Sequence, residues 1–165
     1  MSNLTIHNLA DVPKYISIVV SWLNEEWGTI KNESIDQTLA YLSRNTFENP
    51  GAFVLIALEN GSPVGTASLV FDDMPTRPEL SPWLADVYVV KTERKNGIGR
   101  KLVEAVEAEA SRLTLSKIYL FTASNTALYE LLGWQLLERA EYRGEQVRIM
   151  TKTLDAMSKR EQGQR

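Results

Sequence analysis

The chain has 165 residues, 44% hydrophobic and 24% charged, with no cysteine and a single histidine, His7. A formal charge of −3 gives no footprint for nucleic acid, and the cysteine and histidine counts exclude disulfides, a cysteine nucleophile and thiolate or histidine-cluster metal sites. No apolar run reaches a membrane span and the N-terminus lacks the basic and apolar regions of a signal peptide, so the expectation is one cytoplasmic domain over residues 3–154, with a solvated tail at 155–165 that holds Lys159, Arg160 and Arg165.

Residues 4–9 alternate as a first strand. From 12 to 27 the apolar positions 12, 15, 16, 19, 20, 23 and 27 share one helical face. Ser34 and Gln37 form a capping box that opens a second helix, with Ile35, Leu39, Leu42 and Phe47 expected to face inward. Asn49-Pro50-Gly51 breaks the chain. Residues 52–58 are almost continuously apolar, a buried strand, and Asn60-Gly61 turns it into a partner at 64–71. Residues 72–81, with Pro75 and Pro78, have no periodicity and read as a loop; 83–90 form the next strand. Ile98, Leu102, Val103, Val106, Ala110 and Leu113 give an amphipathic helix. A buried strand at 118–122 follows, then a short helix at 127–132 capped by Ser124-Asn125 and stopped by Gly133. Strands 135–142 and 146–154 close around Arg143-Gly144. The order is βααβββαβαββ, which on periodicity supports an α/β or α+β domain with a mixed sheet.

Chemistry concentrates where strand 83–90 meets the helix behind it. Arg94-Lys95-Asn96-Gly97-Ile98-Gly99 lies at that junction, and its two glycines let backbone N–H groups approach a ligand while the helix adds its positive end. Three cations, Lys95, Arg100 and Lys101, oppose the helix dipole there unless an anion joins them. A phosphate or pyrophosphate is the expected ligand. No Walker pattern exists, and Leu102 occupies the third glycine position of a dinucleotide fingerprint.

The turn resembles the [Gln/Arg]-x-x-Gly-x-[Gly/Ala] coenzyme A turn of the GNAT N-acetyltransferase superfamily. About thirty residues on, Asn125-x-x-x-Tyr129-x-x-x-Gly133-Trp134 is similar to that family's second motif in its tyrosine, glycine and aromatic. Two motifs in this order and spacing are far more specific than either alone. The resemblance implies a mixed, mostly antiparallel central sheet with splayed middle strands and helices on both faces. It implies acetyl-CoA as cosubstrate, no metal, and direct transfer of an acetyl group to the primary amine of a small molecule or peptide N-terminus. Neither nucleic acid nor membrane is a partner; a homodimer is left open. A non-catalytic acyl-CoA-binding regulatory module is the alternative, which retention of both Tyr129 and the turn disfavours.

Carried over residue by residue, the backbone of Val87, Tyr88 and Val89 pairs with the pantetheine arm. Arg94, Lys95, Asn96, Gly97, Ile98, Gly99 and Arg100 wrap the pyrophosphate, although many relatives have glycine where this chain has Lys95. The Val89 N–H meets the thioester carbonyl, Asn125 bonds the cofactor's arm or caps its helix, and Tyr129 is the general acid. For the general base, the position where some relatives carry glutamate is Trp83 here. Asp86, an acid within an apolar strand, is the first candidate, with Glu79, Asp72 and Asp73 beside it. The acceptor is expected where the first two helices meet the 72–81 loop. Glu25, Glu26, Glu33 and those acids, mixed with Trp22, Trp27 and Trp83, suit a cationic amine.

Overall fold

A computed structural model describes residues 3–155; the basic residues expected in a tail, Lys159, Arg160 and Arg165, lie outside the described residues. The chain runs β1 (Leu4–Asn8), α1 (Ile16–Lys31), α2 (Ile35–Ser43), β2 (Phe53–Glu59), β3 (Ser62–Val70), β4 (Trp83–Val89), α3 (Ile98–Arg112), β5 (Lys117–Thr122), α4 (Thr126–Leu131), β6 (Gln135–Tyr142) and β7 (Glu145–Thr153). This is the order expected. The seven strands form one sheet, β1-β2-β3-β4-β5-β7-β6, antiparallel except between β4 and β5. Among the described residues no helix is long and apolar enough to cross a membrane.

Strand alternation explains the layers. Phe53, Leu55 and Ala57 of β2 pack with Leu102, Val103 and Val106 of α3 on one face. Val54, Ile56 and Leu58 pack with Val19, Leu23 and Leu42 of α1 and α2 on the other. A third cluster, with Met74, Leu80, Trp83 and Ile149, fixes the long loop between β3 and β4.

Two helices differ from expectation. α1 begins at Ile16, because Pro13 opens a separate tight turn at Pro13–Tyr15, and it runs on to Lys31, ending at Asn32 in a left-handed conformation. In α2 the capping box is present, but only Leu42 of the four apolar positions faces the core. Ile35, Leu39 and Phe47 are 62%, 41% and 55% exposed. The inward side instead carries the pair Thr38 and Leu42, with Thr38 held at 3.2 Å by Asn24 Nδ2 of α1. A buried polar anchor thus sets the helix's rotation. Leu113 closes α3 partly exposed, at 38%.

The middle of the sheet opens. β4 and β5 meet only at Trp83 and Tyr119, with the Tyr119 N–H donating to the Pro82 carbonyl at 3.0 Å. Across from β5, β3 pairs Thr66 with Tyr88 and Ser68 with Ala85, so Ala67 alone stands opposite Asp86 and Val87. This bulge puts Asp86 at φ 57° and increases the local twist and bend of β4. At the far end Gly65 lets β3, β4 and α3 close up: a Cβ there would lie 2.8 Å from the Tyr88 carbonyl oxygen and 3.0 Å from Leu102 Cδ1. Gly65→Ala must therefore push β4 or α3 outward. We expect a loss of about 1–3 kcal/mol of stability in urea unfolding, the range for overpacking a close-packed core.

Candidate active site

The β4–β5 gap opens into a cavity of about 960 Å³. One end is the glycine turn. Lys95 and Gly97 both take positive φ, at 70° and 79°, and a Cβ on Gly97 would have no heavy atom within 4 Å, so the turn's surface is open. Alternation sets what β4 offers the gap. Val90 N–H donates to the Val64 carbonyl at 2.9 Å on the β3 side, so the neighbouring Val89 peptide edge faces the other way. Arg94 Nε donates to the Val89 carbonyl at 2.7 Å, and its guanidinium lies 5.5 Å from the centre of the Tyr88 ring, which stacks on Trp22. Arg100 reaches Glu104 at 2.8 Å, one turn along α3.

Tyr129 of α4 lines the same cavity with only 7% of its surface exposed, and burial pushes its phenol up to about 12. It is held from behind. Trp134 meets its ring edge-on at 6.0 Å and donates from Nε1 to Glu107 of α3 at 3.2 Å. Lys152 ion-pairs with Glu107 and donates to the Leu132 carbonyl at 2.6 Å. Three separate segments thereby fix the corner that carries the tyrosine. Asn125 stands at the start of α4, but its side chain does not cap the helix. Thr122 Oγ1 instead accepts from the Ser124 and Asn125 N–H groups at 3.3 and 3.1 Å. Asn125 therefore lines the cavity without that commitment.

The other end is polar and charged. Tyr41 of α2 donates its hydroxyl to Asp86 at 2.7 Å, and Lys31 of α1 lies 3.7 Å from the second Asp86 oxygen. Burial and Asp86 raise the Tyr41 pKa well above its ordinary value. Asp73, half-buried in the β3–β4 loop, has its carboxyl pushed up to about 7, first by burial and then by Asp86, against the pull of Lys31 and Arg143. Loop anchors explain how an aperiodic segment places this acid. Met74 and Leu80 are buried, and Arg77 bridges Glu79 at 2.8 Å and also pairs with Glu138 of β6.

The cavity thus gathers Asp86, Tyr129, Val87, Tyr88, Val89, Arg94, Lys95, Gly97, Ile98, Gly99, Arg100 and Asn125, all expected from the sequence. It does not gather Asn96, whose amide lies near Glu93 at 3.5 Å, or Glu79. Glu79 is exposed and its pKa is lowered by the hydrogen bond from Arg77; it holds the loop and does not face the gap. Glu25, Glu33, Asp72 and Trp22 also lie off the cavity wall, whereas Lys31 and Arg143, which sequence reasoning did not weigh, are on it. The raised acid is Asp73, which the sequence ranked below Asp86. No local pattern marks it, because its partners come from α1, β4 and the β6–β7 hairpin. Among the described residues no group of His, Cys, Asp and Glu could hold a metal.

The family model of the acetyltransferase (GNAT) family matches residues 16–134. Among solved structures, the chain is similar to an N-acetyltransferase from Staphylococcus aureus Mu50, at 18% identity and a TM-score of 0.72 over 93% of this chain and 99% of that one. It is similar to an aminoglycoside 6'-acetyltransferase type Ii, at 21% identity and a TM-score of 0.71 over 90% and 96%. It is also similar to yncA, a putative acetyltransferase from Salmonella typhimurium solved with acetyl-CoA, at 20% identity and a TM-score of 0.70 over 92% and 94%. At these identities the solved structures establish the fold. No curated protein matches the chain.

Asp73 makes stability depend on pH. Its folded-state value of about 7 lies above the ordinary 3.8, so the folded chain keeps a proton that the unfolded chain has lost. Its contribution is fully favourable below pH 3.8, declines as pH rises, and levels off above about 7. Asp73→Asn removes this loss. In urea unfolding, wild type should fall progressively below the Asn variant between pH 4 and 7; a constant difference would show that Asp73 is solvated.

Proposed function

Since the chain belongs to the acetyltransferase (GNAT) family, we propose that it transfers an acetyl group from acetyl-CoA to a primary amine of a small molecule or peptide. The observation that carries this reading is the joining, in one gap between β4 and β5, of a basic glycine turn, a buried phenol and a pair of carboxylates. The residues present fit the cosubstrate: an open, positive-φ turn at a helix N-terminus suits a diphosphate, and a splayed strand edge suits an amide-bearing arm.

Acetyl-CoA supplies an acetyl group activated as a thioester. The Gly97 and Gly99 amides, Lys95 and Arg100 hold its diphosphate, and the Val87 and Val89 peptide edges orient its arm. The Val89 N–H donates to the thioester oxygen as negative charge grows there. The amine arrives charged, because a lysine-like ammonium has a pKa of ~10.4. Asp73, with a pKa of about 7, takes its proton. Asp86 is a positioning residue: held by Tyr41 and Lys31, it adds to burial in raising the pKa of Asp73. Tyr129 keeps its proton at neutral pH and gives it to the departing sulfur.

Gly97→Asp places a carboxylate and a disfavoured left-handed side chain at the diphosphate. Calorimetry should show acetyl-CoA affinity down by at least ~100-fold, about 2.7 kcal/mol, with an unchanged circular dichroism spectrum. Unaltered affinity would remove the turn from the site. Tyr129→Phe keeps the ring and deletes the proton. We expect kcat to drop roughly 10²-fold with acetyl-CoA affinity preserved, and full kcat would leave the ring a packing role only.

A further inference from the structure

The acceptor end of the cavity is not a uniformly acidic surface. Glu26, Asp73, Asp86 and Glu145 line it, but so do Lys31 and Arg143. Lys31 is engaged by Asp86 at 3.7 Å and lies 5.2 Å from the centre of the Tyr41 ring. Arg143 is free of such commitments. Among the described residues its guanidinium has no carboxylate partner; it lies over the Tyr142 ring at 5.0 Å, exposed at the tip of the β6–β7 hairpin. The hairpin holds Arg143 there at φ 53°, a left-handed conformation that glycine or asparagine would take more readily.

Arg143 and Asp73 make no ion pair with each other, yet both Arg143 and Lys31 act on the Asp73 carboxyl, lowering its pKa against burial and Asp86. An acceptor with its nitrogen at Asp73 therefore meets the uncommitted Arg143 as well as Lys31, which Asp86 already holds. A polycation satisfies Asp73 and has Glu26 and Glu145 for a further charge, but leaves Arg143 without a partner. An amine with a neutral body strips water from Arg143 and returns nothing. An amine with a carboxylate close by gives both Asp73 and Arg143 a partner, and the planar guanidinium can take that carboxylate through two parallel hydrogen bonds. Part of the remaining wall is apolar: Trp27 and Ile30 of α1 line the cavity, and Ile30 is 46% exposed, leaving apolar surface to cover.

We propose that the acceptor is an α-amino acid with an apolar side chain, its ammonium against Asp73, its carboxylate against Arg143 and its side chain against Trp27 and Ile30. The assignment rests on the acetyltransferase reading above. In the balanced step the ammonium and acetyl-CoA become the N-acetyl amino acid, CoA thiol and one released proton. A C–N bond forms and the C–S bond breaks. Asp73 takes the first N–H proton and passes it to solvent. Tyr129 protonates the sulfur and recovers its proton, through water, from the second N–H.

The test follows CoA release from acetyl-CoA with each of the twenty common α-amino acids, their amides, and spermidine and kanamycin as polycations. At least one apolar amino acid should be used with kcat/KM at least tenfold above its own amide and above both polycations. Arg143→Ala should raise KM for that amino acid about tenfold or more, change kcat less, and erase the difference between acid and amide; Arg143→Lys should restore part of it. Calorimetry adds a readout independent of turnover: the amino acid should bind the CoA-saturated wild type and not CoA-saturated Arg143→Ala. Amides or polycations used as well as the acids, no amino acid used at all, or an Arg143→Ala enzyme that keeps its preference would each overturn the acceptor assignment. The two readings fail separately. Absence of acetyl-CoA binding overturns the acetyltransferase reading and this one with it, whereas acetyl-CoA binding with spermidine turned over as efficiently as the best amino acid overturns this one alone.

Discussion

The structure depends on one failure of strand pairing. β4 and β5 are neighbours in the sheet, yet they share a single paired position, Trp83 with Tyr119. Strands normally satisfy their peptide groups along their whole length, and a buried peptide edge without partners is unfavourable. Here the bulge at Asp86 bends β4 while α3 and the third apolar cluster hold the two sides of the sheet in place. The opened edge is compensated partly from within the chain, since Arg94 folds back to donate to the Val89 carbonyl. The turn that approaches the gap and the strand edge that lines it are thus joined by one side chain, and displacement of either is felt by the other.

The same bulge organises the electrostatics. A residue at φ 57° inside a strand is strained, and here it is an aspartate whose side chain is only 4% exposed. Tyr41 and Lys31 hold the Asp86 carboxylate from two different helices, so α1 and α2 are tied to the splayed strand by polar contacts as well as by the second apolar cluster. Burial first, and then Asp86 beside the cavity wall, push the carboxyl of Asp73, an acid on an irregular loop, up to about 7. Of the cations that oppose the α3 dipole, Lys95 and Arg100 line the cavity at its glycine-turn end, and Lys101 does not. One cavity therefore presents a positive end and a mainly acidic end, with the phenol of Tyr129 on its wall.

What could be read from the sequence was whatever is local. Ser34 and Gln37 made their capping box, Asn60-Gly61 and Arg143-Gly144 turned their hairpins in left-handed conformations, and the element order emerged intact. The glycine turn was legible because its chemistry lies in six consecutive residues. Rotation of α2 was not, because a period of 3.6 cannot decide between Ile35 with Leu39 and Thr38 with Leu42 when Asn24, eleven to eighteen residues earlier, settles it. Nor could sequence separate Glu79 from Asp73. Both are acids in one aperiodic loop, and only the pairing of Arg77 with Glu79 and Glu138 turns one outward while the buried Met74 holds its neighbour at the cavity. Arg143 read as a turn residue alone, since its relation to Asp73 spans seventy residues.

Strain marks the residues that local rules would have chosen otherwise. Of the non-glycine residues at positive φ among the described residues, Asn32 and Asn60 are of the type that tolerates it, and Thr114 ends α3 away from the cavity. The other three, Asp86, Lys95 and Arg143, all line the gap. Lys95 and Arg143 each hold a side chain where glycine would relieve roughly 1–2 kcal/mol of backbone strain; Asp86 is of a type that tolerates the conformation better but takes it inside a strand. Neither local propensity nor core packing accounts for them: Lys95 and Arg143 are on the open rim, and Asp86 is a charge where an apolar strand residue would need no partners. What the three have in common is a charge aimed at one cavity, negative in the bulge and positive at both the turn and the hairpin tip. Stability is given up at those points to set charges on one cavity wall: Asp86 already has Tyr41 and Lys31, whereas among the described residues Lys95 and Arg143 have no carboxylate partner.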